Sequence, residues 1–267
     1  METQLISKIR QQNPLIHNIT NIVVANFSAN GLLVLGASPI MSDSLEEMHE
    51  LPALSNALVI NMGTLSEPQI QAMILAGKTA NSVNVPVVFD PVGVGATSFR
   101  KNTAKRILDE VKCDLIRGNA GEIAYLAGVE WNAKGVDAGK GDADLSEIAK
   151  IAAQKYHCIV AISGEIDYIS NGKQVAKIEN GTPMLPKITG SGCLLSAVCG
   201  AFLSVVDKKD YFTAVINSCC AYAIAGEIAA TSLNLTETGD FYVKFINSLG
   251  ALNDEMVRKN ARVSYEN

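Results

Sequence analysis

The sequence predicts an α/β fold in which a mainly parallel central sheet is flanked by helices. Short Val/Ile-rich runs recur along the chain and are apolar throughout rather than alternating, the pattern of strands buried on both faces. Longer segments with helical spacing separate them. Of 267 residues, 48% are hydrophobic and only 18% charged, which suits one large core and excludes a disordered tail or a coiled coil.

The apolar runs are 57–62, 85–89, 114–116 and 158–162, and helical periodicity spans 67–83, 102–111, 120–126 and 144–156. Strand–helix–strand repeated in this way requires right-handed crossovers and a parallel sheet. A polar hairpin follows at 168–179, with Ser170-Asn171-Gly172-Lys173 as its turn. The remainder reads as mostly helical: 193–206 and 211–232, rich in Ala and Gly, are expected to pack as buried helices on the sheet. No linker, repeat or low-complexity tract divides the chain, so one domain over 1–267 is expected. The charged, glycine-containing stretch 135–144 is expected to be an exposed mobile loop.

The formal charge is −5 and no Lys/Arg cluster exceeds two residues, which argues against a nucleic-acid partner or an anionic membrane surface. The first residues lack the apolar core of a signal peptide, and no window reaches the ~18 uncharged apolar residues of a membrane helix; a cytoplasmic protein is expected. The six cysteines have no zinc-like spacing and read as small buried hydrophobes, Cys193 apart.

Parallel sheets bind ligands outside the carboxyl ends of their strands. Asp90-Pro91-Val92-Gly93-Val94-Gly95, Arg117-Gly118-Asn119-Ala120-Gly121-Glu122 and Ser163-Gly164-Glu165-Ile166-Asp167 follow three of the runs, and Thr189-Gly190-Ser191-Gly192-Cys193 leads into an apolar helix. Gly190 and Gly192 permit positive φ and close backbone approach, and the helix turns free N–H groups and its positive dipole end toward the loop. Gly190, Ser191 and Gly192 thus read as an anion hole for phosphoryl oxygens, or as an ordinary glycine-rich helix entry. Cys193 sits in the first helical turn, where the dipole is expected to lower a thiol pKa, and is a candidate base toward a substrate hydroxyl. A neutral thiol is a weak base at pH 7.

Asp90 and Glu122 stand beside turn glycines and offer oxygens to a hydrated Mg²⁺. Asn119, one turn before Glu122, can face the same cleft, and the pair is equally a capping-box signature. Toward the N-terminus, 15–21 places amide and hydroxyl groups beside apolar positions, and 36–41 ends a small-residue turn in the thioether of Met41, a wall for a largely apolar small molecule. His17 reads as a hydrogen-bonded structural histidine.

Together these motifs resemble the hydroxyethylthiazole kinase family of the ribokinase-like fold. The matching pieces are Ile19-Thr20-Asn21 with Asn26-Phe27, Gly36-Ala37-Ser38-Pro39-Ile40-Met41, Asp90 to Thr97, Arg117 to Ile123, Gly164-Glu165-Ile166-Asp167-Tyr168 and Gly190-Ser191-Gly192-Cys193, in the family's order. The resemblance implies a ribokinase-like three-layer sandwich and ATP-dependent phosphorylation of the primary alcohol of 4-methyl-5-(2-hydroxyethyl)thiazole, a step toward thiamine. It implies substrate contacts at Met41 and Gly190, with Asn21 in the active-site region, and ATP contacts at Arg117 and Ser163, with Asn119 beside them. Asp90 and Glu122 match the acidic pair around Mg²⁺, and Cys193 takes the place of the aspartate base of related sugar kinases. It further implies a homotrimer with sites at subunit interfaces and Met41 offered to a neighbouring chain. Ser163 and Ser191 stand where the family commonly shows Thr, and both keep the hydroxyl.

Other functions remain open at this point. A pyridoxine- or sugar-type kinase of the same fold would usually carry an acid at position 193. A nucleotide-dependent lyase of that fold would release water rather than a phosphomonoester. In a non-catalytic nucleotide-binding module the acidic pair would serve only as helix caps.

Overall fold

The computed structural model describes residues 4–130 and 144–266, so the stretch expected as a mobile loop lies, except for Asp144, outside the described residues. The strands are β1 (Leu15–Ile19), β2 (Ser38–Met41), β3 (Ala57–Asn61), β4 (Val87–Asp90), β5 (Leu115–Asn119), β6 (Ile159–Ser163), β7 (Asp167–Ser170), β8 (Val175–Ile178) and β9 (Val263–Glu266). They form one sheet in the order β2-β1-β3-β4-β5-β6-β7-β8-β9. Pairing is parallel from β2 to β6 and antiparallel from β6 to β9.

The helices are α1 (Leu5–Gln12), α2 (Ala25–Leu35), α3 (Leu51–Leu54), α4 (Glu67–Ser82), α5 (Ser98–Glu110), α6 (Ala120–Ala127), α7 (Leu145–Tyr156), α8 (Ser191–Leu203), α9 (Tyr211–Ala230), α10 (Thr238–Ala251) and α11 (Asp254–Asn260). Strand side chains alternate between faces, and the core divides accordingly. Ile16, Ala57, Val59, Val88 and Leu115 pack with α1, α2, α8, α9 and α10 on one face. Leu58, Ile60, Phe89, Ile116 and Val160 pack with α4, α5, α6 and α7 on the other. The result is the expected three-layer α/β sandwich.

Several details depart from the sequence reading. The segments 15–19 and 36–41, taken as walls of a cleft, supply β1 and β2; His17, Asn18 and Pro39 interrupt their apolar runs, and the neighbouring strands supply the pairing instead. Pro86 lacks an N–H, and β4 begins only after it. The C-terminal region is not helical to its end, because β9 pairs with the hairpin strand β8. Residues Lys208–Ala230 are long and apolar enough to cross a membrane by length and composition, although Asp210 and Glu227 bound its uncharged part at 211–226, and most of that stretch is buried inside the fold.

α8 lies close enough to the sheet that a Cβ on Gly200 would stand 2.9 Å from Val59 Cγ2. Val59 is stiff at χ1 and fully packed. Gly200→Ala would gain ~1 kcal/mol of helix propensity against an overpacking cost of ~1–3 kcal/mol. The variant is expected to be less stable by about 1 kcal/mol, read as a lower urea midpoint at constant slope.

Candidate active site

Val59, Val88, Leu115 and Ala161 pack on the sheet face that carries α8 and α9, so by strand alternation Asn61, Asp90, Arg117 and Ser163, two residues further on, emerge on that same face at the carboxyl ends of β3, β4, β5 and β6. Lateral register places Asn61 opposite Asp90 and Asn119 opposite Ser163. A continuous network joins these groups. Asn21 Nδ2 donates to Asn61 Oδ1 at 2.8 Å and to Cys193 Sγ at 3.5 Å. Asn61 Nδ2 and the Ser196 hydroxyl each donate to Asp90 Oδ2 at 2.8 Å. Arg117 Nη1 lies 3.7 Å from the same oxygen, and its Nη2 donates to Ser163 Oγ.

The N-terminus of α8 closes over this network. The helix starts at Ser191, two residues earlier than expected, and of its two glycines only Gly190 has positive φ, at 84°. Gly192 is required for a different reason: a Cβ there would fall 2.7 Å from Arg117 Nη1. No side chain caps the helix, and its first backbone bond runs from Leu194 N to Gly190 O at 2.9 Å. The N–H groups of Gly192 and Cys193 are therefore orphan donors of a helix end.

Glu122 fulfils the capping reading in full. Its Oε2 accepts from Asn119 N at 2.8 Å, and Asn119 Oδ1 accepts from Glu122 N at 2.9 Å. Glu122 Oε1 reaches further, accepting Gly93 N at 2.8 Å and so tying α6 to the loop after β4. Burial raises the Glu122 carboxyl above its usual range, and the neighbouring Asp90 raises it more. Burial also raises Asp90, with Arg117, Ser196 and Asn61 pulling the other way. The two acids are thus close enough to repel, and Asp90 Oδ1 is buried without a partner. A cation beside them would relieve both conditions, so the pair fits a hydrated Mg²⁺, which needs few protein ligands. Among the described residues no group of three or more His, Cys, Asp or Glu is arranged for a metal.

The expectation of a lowered Cys193 pKa is overturned. Burial, then the charge of Asp90, pushes the thiol up to about 11. Desolvation of a thiolate next to a carboxylate disfavours its ionisation, so the thiol is protonated at pH 7.

Met41 is not brought to this cluster within one chain. It ends the edge strand β2, opposite Asn18, and three strand spacings, roughly 14 Å, separate β2 from β4. His17 is buried, with Nε2 2.9 Å from the Ser42 carbonyl just after Met41, the structural role expected of it. Sequence reasoning missed Asn61 and Ser196. Asn61 ends an otherwise apolar run in phase with Val59, a usable signal; Ser196 within an apolar helix carries none.

The Hydroxyethylthiazole kinase family model matches residues 6–255. A hydroxyethylthiazole kinase of Histophilus somni is 62% identical over 266 residues, covering all of both chains. The chain belongs to the hydroxyethylthiazole kinase family. The structure of the hydroxyethylthiazole kinase from Pyrococcus horikoshii superposes with a TM-score of 0.88 at 35% identity, covering 98% of each chain. Pyridoxal kinase from Staphylococcus aureus, at 15% identity, TM-score 0.61 and coverage of 94% and 97%, shares the fold alone. The chain is accordingly a hydroxyethylthiazole kinase-family enzyme with the ribokinase-like fold.

In this kinase the segment after β6 is held by Asp167, whose Oδ1 accepts Gly164 N at 2.9 Å. Burial raises the Asp167 carboxyl from 3.8 to about 6, opposed by the Gly164 N–H and by Arg117. Between those values the native state binds more protons than the unfolded chain, so this group's contribution is fully present below pH 3.8 and is lost as pH rises through about 6. Relative to Asp167→Asn, the wild-type protein is expected to lose about 2 kcal/mol of stability between pH 4 and pH 7. Urea midpoints of the two proteins across that range check it; parallel pH profiles would refute it.

Proposed function

We propose that this site transfers the γ-phosphoryl group of ATP directly to the primary hydroxyl of 4-methyl-5-(2-hydroxyethyl)thiazole. The observation that supports the reading most is the bare N-terminus of α8 packed against the Arg117 guanidinium, with Asp90 beside that guanidinium and bound by Ser196 of α8. Phosphoryl transfer asks a protein mainly for positioning and for stabilisation of charge on the transferring oxygens. Orphan helix N–H groups and a fixed guanidinium provide that charge stabilisation without reorganisation.

The residues divide by position. Gly190, Ser191 and Gly192 form the anion hole, and Arg117, Ser163 and Asn119 line the ATP side, the last two on adjacent strands. Asp90 and Glu122 would hold Mg²⁺, which when bound neutralises charge on the phosphate oxygens. Cys193 stands at the alcohol. With its thiol protonated in the resting site it is not a standing base; Sγ, held by Asn21 Nδ2, orients the hydroxyl and takes its proton only in the minor thiolate form, becoming the thiol. A loose transition state demands little prior deprotonation of the nucleophile, which suits a thiol of high pKa. Gly190 and Asn21 thus border the substrate, Asn21 through the sulfur it holds.

Met41 completes the picture in a homotrimer, where β2 of one subunit would lie against the neighbour's cleft. Its place on an open sheet edge supports this, as do the exposed apolar residues Ile22 and Val23, 83% and 62% accessible, in the segment after β1. Light scattering is expected to give three times the 28.4 kDa chain mass, and a monomeric, fully active enzyme would overturn the arrangement.

A coupled assay of ADP release across thiazole, pyrimidine and sugar alcohols tests the reaction itself: turnover should require both the thiazole alcohol and Mg²⁺. Cys193→Ser is expected to lower kcat about tenfold at saturating thiazole alcohol while changing KM for ATP less than about twofold. An unchanged kcat would remove the thiol from proton transfer. Asp90→Ala and Glu122→Ala are expected to raise the Mg²⁺ concentration needed for half-maximal turnover.

A further inference from the structure

Arg100 lies in the first turn of α5, half-buried, and among the described residues it has no acidic partner. Its guanidinium is spent on backbone instead. Nη1 donates to the carbonyls of Met62 at 2.6 Å and Val92 at 2.7 Å, and Nη2 donates to that of Gly63 at 2.6 Å. Those carbonyls belong to the two loops that leave β3 and β4, so one planar cation pins both loops together from outside. An arginine placed so holds geometry, because its donors form a rigid fork.

The inner sides of the same loops bear the candidate site. Gly63 N donates to Asn61 Oδ1 at 2.9 Å, and a Cβ on Gly63 would fall 2.4 Å from Asn21 Nδ2. Gly93, next to Val92, donates its N–H to Glu122 Oε1. Asp90 starts the second loop, and its carbonyl accepts Met62 N at 3.1 Å and Val92 N at 2.9 Å. The spacing between Asp90 and Glu122 therefore depends on where Gly93 is held, and Gly93 is held on one side by Glu122 and on the other through Val92 by Arg100. We infer that Arg100 is a positioning residue for the phosphoryl-transfer site, fixing the separation of the acidic pair and the seat of Asn61 without touching substrate. This rests on the reading of Asp90 and Glu122 given above.

The test compares Arg100→Met and Arg100→Lys with Arg106→Met on the same helix, which removes only an exposed pair with Glu67 of α4. In the metal-free protein, amide exchange of a peptide spanning 91–96 is expected to quicken at least tenfold in Arg100→Met, while peptides from β5 and β6 keep wild-type rates. In turnover, kcat should fall at least tenfold and the Mg²⁺ requirement rise at least threefold. Arg100→Lys, able to serve fewer carbonyls, should lie between, and Arg106→Met should match wild type. If Arg100→Met does not fold by circular dichroism, Arg100→Lys is read by the same two measurements. Uniformly faster exchange, with activity lost only in proportion to the folded fraction, would overturn the inference, as would wild-type values in both measurements. Should Asp90→Ala and Glu122→Ala leave the Mg²⁺ requirement unchanged, the acidic-pair reading fails and takes this inference with it; if they raise it while Arg100→Met does not, only the inference about Arg100 fails.

Discussion

The buried contact between Arg117 and Asp90 is the constraint around which the catalytic edge of the sheet is arranged. Removing two charges from water costs several kcal/mol per ion, and attraction compensates only when each ion is also hydrogen-bonded. Asp90 Oδ2 is accordingly met by Asn61 and Ser196 as well as by Arg117, and Arg117 in turn meets Ser163. Strands β3, β4, β5 and β6 and helix α8 each contribute one of these groups. None can shift without leaving a charge or a polar atom unpaired.

From that contact the rest of the site takes its spacing. Gly192 has no side chain because the guanidinium occupies the space a Cβ would need, and Gly190 turns the chain with a backbone that L-residues rarely adopt. α8 consequently ends its N-terminus over the cluster with N–H groups bare. Positive potential from the helix and Arg117 stands opposite two carboxyls and a thiol whose ionisation burial disfavours. Such a site gains most from receiving an anionic phosphate together with a cation, which is the electrostatic situation of phosphoryl transfer. The same burial that holds Asp90 also deprives Cys193 of thiolate character, so positioning rather than strong base chemistry dominates the account.

Read alone, the chain settles the α/β class, the strands β3 to β6, the helices between them and the motifs at their carboxyl ends, because apolar periodicity and turn chemistry are local properties of a few adjacent residues. The family resemblance is equally local, since it rests on short ordered motifs. β1 and β2 escape that reading because His17, Asn18 and Pro39 break the apolar pattern, and only pairing across the sheet, β2 with β1 and β1 with β3, makes strands of them. The sign of the Cys193 shift, the partnership of Asn61 and Ser196 with Asp90, and the remoteness of Met41 on its edge strand are likewise invisible along the sequence. Each depends on which groups from distant segments share a water-free space, and desolvation and Coulomb interaction are set by that three-dimensional proximity, not by neighbours in the chain.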